Sequence, residues 1–345
     1  MGQIKRLKLL AFIVIALLAL PAGAVAQDFY QGKTIHLVVG FAAGGGFDTY
    51  SRAIARHLGK HIPGNPSIVV DNMAGAGSLI AANHLFNIAK PDGLTIGNWI
   101  GPLVVQQALG NPAAQFDGRK FGYLGVPVAD SGVCALTKAS GIASADQWLA
   151  SKRPIKLGGT APGSTTDDVP KIISAAIGLP IHMISGFKGT SAIRLAADGG
   201  EIDGGCWAWE SIKPTWQAGI KAGDVNIVLQ TMTESHPELK NVPLAVKYAK
   251  TDDARAMLDI VSGPYGLLAR PYTVPPGLPK GRLELLQKAF MDTMKDPVFL
   301  AEAKKSNLEI DPLDGPTAAK KFAALYTLKP DLQAKLKEIV ITTKQ

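Results

Sequence analysis

The sequence predicts an α/β protein of two lobes, each a mainly parallel sheet flanked by helices. Three observations predict it. Short apolar runs that fit buried strands are followed, again and again, by small-residue loops and then by residues of helical period. This unit occurs at residues 35–59 and again at 155–178, and thirteen positions separate Ile35 from Asp48 as they separate Ile155 from Asp168. No low-complexity tract or flexible linker interrupts the chain, so the lobes share crossover strands instead of hanging on a tether.

Taken in order, the chain opens with an address. Lys5, Arg6 and Lys8 precede an apolar run from Leu9 to Leu20, and Ala24-Val25-Ala26 is an A-x-A cleavage signal. The run is short for a bilayer span of about 20 residues. Residues 1–26 therefore read as a signal peptide cleaved near Ala26 and Gln27, with export to a periplasm. The mature chain divides into the first part of lobe 1 (27–131), lobe 2 (132–263) and a return to lobe 1 with C-terminal helices (264–345). A formal charge of +8 with 47% hydrophobic residues marks a globular chain. Its basic residues are dispersed, which excludes nucleic acid as the expected partner. Cys134 and Cys206 leave a disulfide and two inert buried thiols equally open.

Residues 35–39 form the first expected strand and 40–46 a glycine loop. A helix follows with Tyr50, Ala53, Ile54, His57 and Leu58 on one face, capped by Asp48 or Thr49 and closed at Gly59. Bare N–H groups at that helix start, with the helix dipole behind them, suit an anion. Nucleotide motifs fail. G-x-G-x-x-G counted from Gly44 ends on Thr49, and Gly32-Lys33-Thr34 precedes a strand instead of a helix.

Next come a strand at 67–70, a second small-residue loop at 71–78 and a helix carrying Leu79, Ala82, Phe86 and Ala89. Lys90-Pro91 stops it, and 94–96 is a third strand. Residues 123–128 and 133–137 are further strands. The second cycle has a strand at 155–159, a loop at 160–166 and a helix capped by Asp167 or Asp168 and closed at Gly178. Strands at 181–185, 202–209 and 225–230 follow, with a helix after Ser191. Residues 265–269 read as the strand that returns to the first lobe, 271–279 as a proline-rich turn, and 282–294, 297–305, 317–326 and 332–339 as helices.

Catalytic patterns are missing from this inventory. His57 and His61 stand four apart without the glutamate of H-E-x-x-H, no G-x-S-x-G occurs, and the two cysteines form no C-x-x-C. Trp207 and Trp209 alternate on an expected strand, as core or as pocket wall. No catalytic residue, metal ligand or cofactor is expected. The three small-residue loops at strand ends are left as the candidate site, and they point to binding.

Those loops carry a resemblance. IHLVVGFAAGGGFD (35–48), VVDNMAGAGS (69–78), KPDGLTI (90–96), GFKGT (186–190) and GGEIDG (199–204) resemble the solute receptors of tripartite tricarboxylate transporters, the Bug proteins. The resemblance implies a monomeric, type II-like periplasmic binding protein. Such a receptor closes on a small carboxylate, a di- or tricarboxylate or an aromatic acid, and delivers it to membrane permease subunits. It places the ligand among Phe41, Ala42, Gly44, Gly45, Gly46 and Asp48 of the first loop, with Gly75, Ala76, Gly77 and Ser78 alongside. Thr160, Gly163, Ser164, Thr165 and Thr166 face them from the second lobe, with Trp207. The sequence departs from the family pattern at Ala43, Phe47 and Met73-Ala74. Phe47, Trp99, Trp207 and Trp209 point to an aromatic or longer aliphatic acid. An exported enzyme acting on a small anion, or a ligand-sensing subunit for a histidine kinase, are the alternative readings.

Overall fold

The computed structural model describes residues 29–342, and the expected signal peptide lies outside them. Eleven strands are present among these residues: β1 (Thr34–Val39), β2 (Ser67–Asn72), β3 (Thr95–Asn98), β4 (Gly122–Val126), β5 (Gly132–Thr137), β6 (Ile155–Gly158), β7 (Ile181–Ile184), β8 (Gly204–Ala208), β9 (Val225–Gln230), β10 (Tyr272–Val274) and β11 (Leu313–Asp314). They build two sheets, ordered β11-β4-β10-β3-β1-β2 and β7-β6-β8-β5-β9. Both are mixed. β1 pairs in parallel with β2 and β3, and β6 with β7 and β8, where strand, loop and helix repeat. The antiparallel members are β10 and β11 in the first lobe and β5 in the second.

The helices that matter for the site are α1 (Gly46–Leu58), α2 (Leu79–Asn87), α3 (Leu103–Ala108), α4 (Thr165–Ile177), α5 (Thr190–Asp198), α6 (Trp209–Thr215) and α7 (Asp252–Ser262). Ile35, Leu37 and Val39 of β1 are buried together with Tyr50, Ala53, Ile54 and Leu58 of α1. The period-2 face of a strand and the period-3.6 face of a helix thus bury each other, and the loop between them is held at the sheet's carboxyl edge. A second apolar cluster is continuous between the lobes, from Trp99, Phe121 and Phe322 to Leu157, Ile172 and Val228.

The chain crosses between the lobes in the segment 127–131, again in 263–271, and a third time near its end. There Leu336 and Val340 are buried in the shared cluster, and Ile339 borders Lys171 and Ser174 of α4. The first two crossings run side by side, with Asp130 N–H donating to Gly266 O at 3.2 Å.

Three sequence expectations are revised, and one question left open is answered. Residues 265–269 do not form the returning strand: Gly263–Leu267 is a π-helical turn continuing α7, and the return is β10. Tyr265, Leu268 and Ala269 are apolar because the crossing is buried, and burial alone cannot distinguish strand from turn. β10 lies inside the segment read as a proline turn, and Pro271 immediately precedes it, where a missing N–H is tolerated. Trp209 is not on a strand with Trp207; its N–H donates to Ser131 O at 2.8 Å and it opens α6. Cys134 and Cys206 face each other in the β5–β8 register and are joined in a disulfide.

Candidate functional site

Three helices begin at one crevice between the lobes. α1 comes from the first lobe, α4 and α5 from the second, and Gly45, Gly46, Phe47, Thr165, Thr166 and Thr190 all border the space. Each helix start leaves its first N–H groups without an intrahelical acceptor and carries the positive end of the helix dipole. The crevice has about 390 Å³ of empty space measured out to its mouth, of which only about 20 Å³ admits the centre of a water molecule. It is therefore narrow in this conformation, and a solute of several carbons enters when the lobes part, before they close on it.

The lobes touch across it. Ala42 N–H donates to Lys188 O at 3.0 Å, and Ser191 Oγ donates to Ala43 O at 3.0 Å. Contact this close depends on missing side chains. A Cβ on Gly45 would lie 2.9 Å from Thr190 Oγ1, and one on Gly46 would lie 1.9 Å from Ser211 Oγ.

Asp48 organises the first loop without bordering the crevice. It is not the helix cap, which is Gly45, and lies buried in the first turn. Its carboxylate accepts from Gly44 N–H, Arg52 Nε and Asn72 Nδ2, each at 2.9 Å, while the same Asn72 amide donates to Phe41 O. Burial pushes the Asp48 pKa upward, but these donors outweigh it and hold the group below the usual carboxylate range.

The second-lobe loop is tied in a similar way. Ser164 is the cap residue of α4, and Asp167 and Asp168, expected as caps, are fully buried inside its first turns. Thr160 Oγ1 donates to Ser164 Oγ at 2.7 Å, and Thr160 N–H to Thr166 Oγ1 at 3.0 Å. Asp168 accepts from Gly163 N–H, from Gln106 Nε2 of α3 in the opposite lobe, and from Tyr265 Oη. Burial raises its pKa to about 6 against the pull of those donors.

The remaining wall is apolar. Phe41 and Phe47 pack with ring centroids 4.7 Å apart, Ile100 lies beside them, and Trp207 stacks on Trp216 at 5.6 Å. Beneath them Arg270 donates to Asp130 and, at 2.8 Å, to Ser211 Oγ, with its guanidinium 5.0 Å from the Phe47 ring centre. This pair links the two adjacent crossings. Glu210, also buried, accepts from Ser131 N–H at 2.7 Å. Burial, then the Asp130 charge, push its pKa up to about 7. Glu210, His236 and Glu309 approach one another closely enough to ligate a cation. Glu309 is instead engaged by Lys213 at 3.0 Å and His236 at 3.3 Å, which ties the lobes together near the crevice.

Of the residues expected from sequence, Phe41, Gly45, Gly46, Thr160, Ser164, Thr165, Thr166 and Trp207 border the crevice. The others shape it from behind. Gly44 serves Asp48, Ala42 makes the interlobe bond, and a Cβ on Gly163 would press on Gln106 and Leu103. The second loop, Gly75, Ala76, Gly77 and Ser78, turns with positive φ throughout. It backs the site, with Gly77 near Ser164 and Ala161 and Ser78 Oγ accepting from Ile100 N–H. Trp99 and Trp209 are elsewhere: Trp99 is buried among Phe116, Phe121 and Phe322, and Trp209 donates to Glu238. Sequence reasoning missed Ile100, Asp130, Ala208 and Ser211 as wall residues. Thr190 had a signal, standing at the end of the GFKGT loop.

Hydroxyls, backbone N–H groups, one ion-paired carboxylate and aromatic rings make up this surface, and no histidine or cysteine borders it. Such an arrangement can grip an anion and shield it from solvent.

No family model matches the chain. It is 27% identical over 298 residues to the UPF0065 protein in the TAR-I ttuE-ttuC' intergenic region of Agrobacterium vitis, covering 84% of this chain and 80% of that one. It is 27% identical over 318 residues to the UPF0065 protein in the gbd 5' region of Cupriavidus necator, covering 87% and 86%. Among solved structures it is similar to the periplasmic binding protein BugD, with a TM-score of 0.73, 20% identity, and 92% and 100% of the two chains covered. Two others are R. palustris Rpa4515 with adipate (TM-score 0.72, 19% identity, 89% and 98% covered) and MatC from Rhodopseudomonas palustris with bound malate (0.69, 18%, 89% and 99%).

Proposed function

This chain is a homologue of the UPF0065 proteins with the fold of the periplasmic binding protein BugD, and from that premise we propose that it captures a small carboxylate between its lobes. The convergence of three helix N-termini from both lobes on one crevice carries the reading. Backbone N–H groups at helix starts favour negative charge, and glycine and threonine loops let a carboxylate approach without obstruction. Because the donors come from both lobes, the anion itself favours the closed arrangement. Adipate on Rpa4515 and malate on MatC give the size of solute that this fold accommodates. The Phe41, Phe47, Ile100 and Trp207 wall fits a ligand with an apolar middle.

Delivery of the bound acid to a tripartite tricarboxylate-type permease, from the periplasm and as a monomer, completes the proposal; the motif resemblance supports it. Among the described residues no helix is long and apolar enough to cross a membrane. Titration calorimetry of the mature protein against mono-, di-, tri- and aromatic carboxylates tests the reading. Binding of one class, with the acid recovered unchanged, is the expected result. Turnover of a panel member, or no binding by any of them, overturns it.

A further inference from the structure

The chain has five tryptophans, and four of their indole N–H groups have acceptors within the protein. Trp99 donates to Thr273 Oγ1 at 2.8 Å, Trp148 to Pro180 O at 3.2 Å, Trp209 to Glu238 Oε2 at 3.1 Å and Trp216 to Asp198 Oδ1 at 2.8 Å. Trp207 is the exception. Its Nε1 is buried with no acceptor, although the residue is only 4% exposed. It is also the one tryptophan that borders the crevice.

Burying a donor without a partner is unfavourable, and buried polar groups in folded proteins are almost always bonded. Among the described residues just two buried side-chain atoms lack a partner, Trp207 Nε1 and Arg270 Nη1. Both belong to the same corner. Arg270 is bonded to Asp130 and Ser211, and these residues border the crevice together with Trp207. The Trp207 ring is fixed in place: one face stacks on Trp216 with an angle of 9° between the planes. Its far benzo edge lies against Gly205, where a Cβ would come within 2.8 Å of Cζ3. The nitrogen is on the opposite edge of the indole, away from that packed side.

We propose that Trp207 is a specificity-determining residue of this site, donating its indole N–H to an acceptor on the ligand distinct from the carboxylate held at the helix starts. This rests on the carboxylate-binding reading above and narrows it. The ligand is an acid with a second acceptor, such as another carboxylate, a carbonyl or a hydroxyl, separated by a short apolar span. A simple fatty acid of equal length would leave the N–H as orphaned as before. An acid with a cationic amine at that end would meet a donor where it needs an acceptor.

Adipate and hexanoate form the discriminating pair, since they differ only at the distal end. Calorimetry of the wild-type protein is expected to give at least tenfold tighter binding of adipate. W207F should lower adipate affinity about 10- to 100-fold, the size of a hydrogen bond to a charged group, and cost hexanoate, which loses only ring area at the wall, far less. In parallel, ¹⁵N-indole spectra of the wild-type protein should show the Trp207 N–H resonance moving downfield with adipate and not with hexanoate. That second readout holds even if W207F folds poorly. Equal losses for both acids, or an indole resonance indifferent to the distal carboxylate, overturn the assignment while leaving carboxylate capture intact. Failure of every acid in the wider panel to bind the wild-type protein would remove the underlying reading, and this one with it.

Discussion

Replacing Gly46 by alanine separates closure of the lobes from stability of the fold. Gly46 is the first residue of α1, in ordinary helical backbone, so a methyl group there strains nothing within its own lobe. In the closed arrangement that methyl would lie 1.9 Å from Ser211 Oγ and 2.4 Å from Ser211 Cβ, both on α6 of the other lobe. Ordinary contact needs about 3.5 Å, so α1 and α6 must separate by roughly 1.5 Å. Overpacking of this kind costs about 1–3 kcal/mol, which converts to about 5- to 150-fold in Kd when binding requires closure. Calorimetry with adipate and malate as probes measures the loss, and the melting temperature without ligand should change little. The double variant G46A/S211G removes both offending atoms and should recover much of the affinity, while its folding stability falls by about 1 kcal/mol for a glycine within a helix and further because Arg270 loses the Ser211 hydroxyl. Wild-type affinity in G46A, or no recovery in the double variant, would refute the reasoning.

Other perturbations follow from the same geometry. D48N leaves Gly44, Arg52 and Asn72 facing a group that can no longer accept from all of them, and should cost about 1–3 kcal/mol of stability together with affinity, read by denaturant melts and calorimetry. Glu210 has a folded pKa of about 7 against an ordinary 4.5. Its contribution to stability is therefore complete below pH 4.5 and is lost as the pH rises through 7, so E210Q should flatten melting temperature across that window. Removing the Cys134–Cys206 crosslink in C134A/C206A releases a loop of 72 residues and should cost about 2–5 kcal/mol. Ligand affinity should survive that change, because neither cysteine borders the crevice.

What could be read from the sequence was local. Residues 35–39 are an apolar run long enough for a strand and bounded by a glycine loop, so β1 and its loop follow from neighbouring residues alone. The cap of α1 was less legible, because Asp48 can bond backwards to Gly44 as readily as it can cap, and only the positions of Arg52 and Asn72 decide between these roles. The Asp130–Arg270 pair could not be found at all. Its members are 140 residues apart and meet only because two crossings lie alongside each other. Trp207 and Trp209 look equivalent in sequence, and only the end of β8 at Ala208 sends their indoles to different surroundings. Apolar pattern fixes which residues are buried, but it does not fix which of them face a shared space.

The backbone bond from Ala42 N–H to Lys188 O has one further consequence. Because its donor and acceptor belong to different lobes, solvent deuterium can replace that proton only during excursions that part them. Ala42 is in effect a clock for spontaneous opening, readable one amide at a time, and a captured solute should slow it while the sheet amides of β1 keep their own pace.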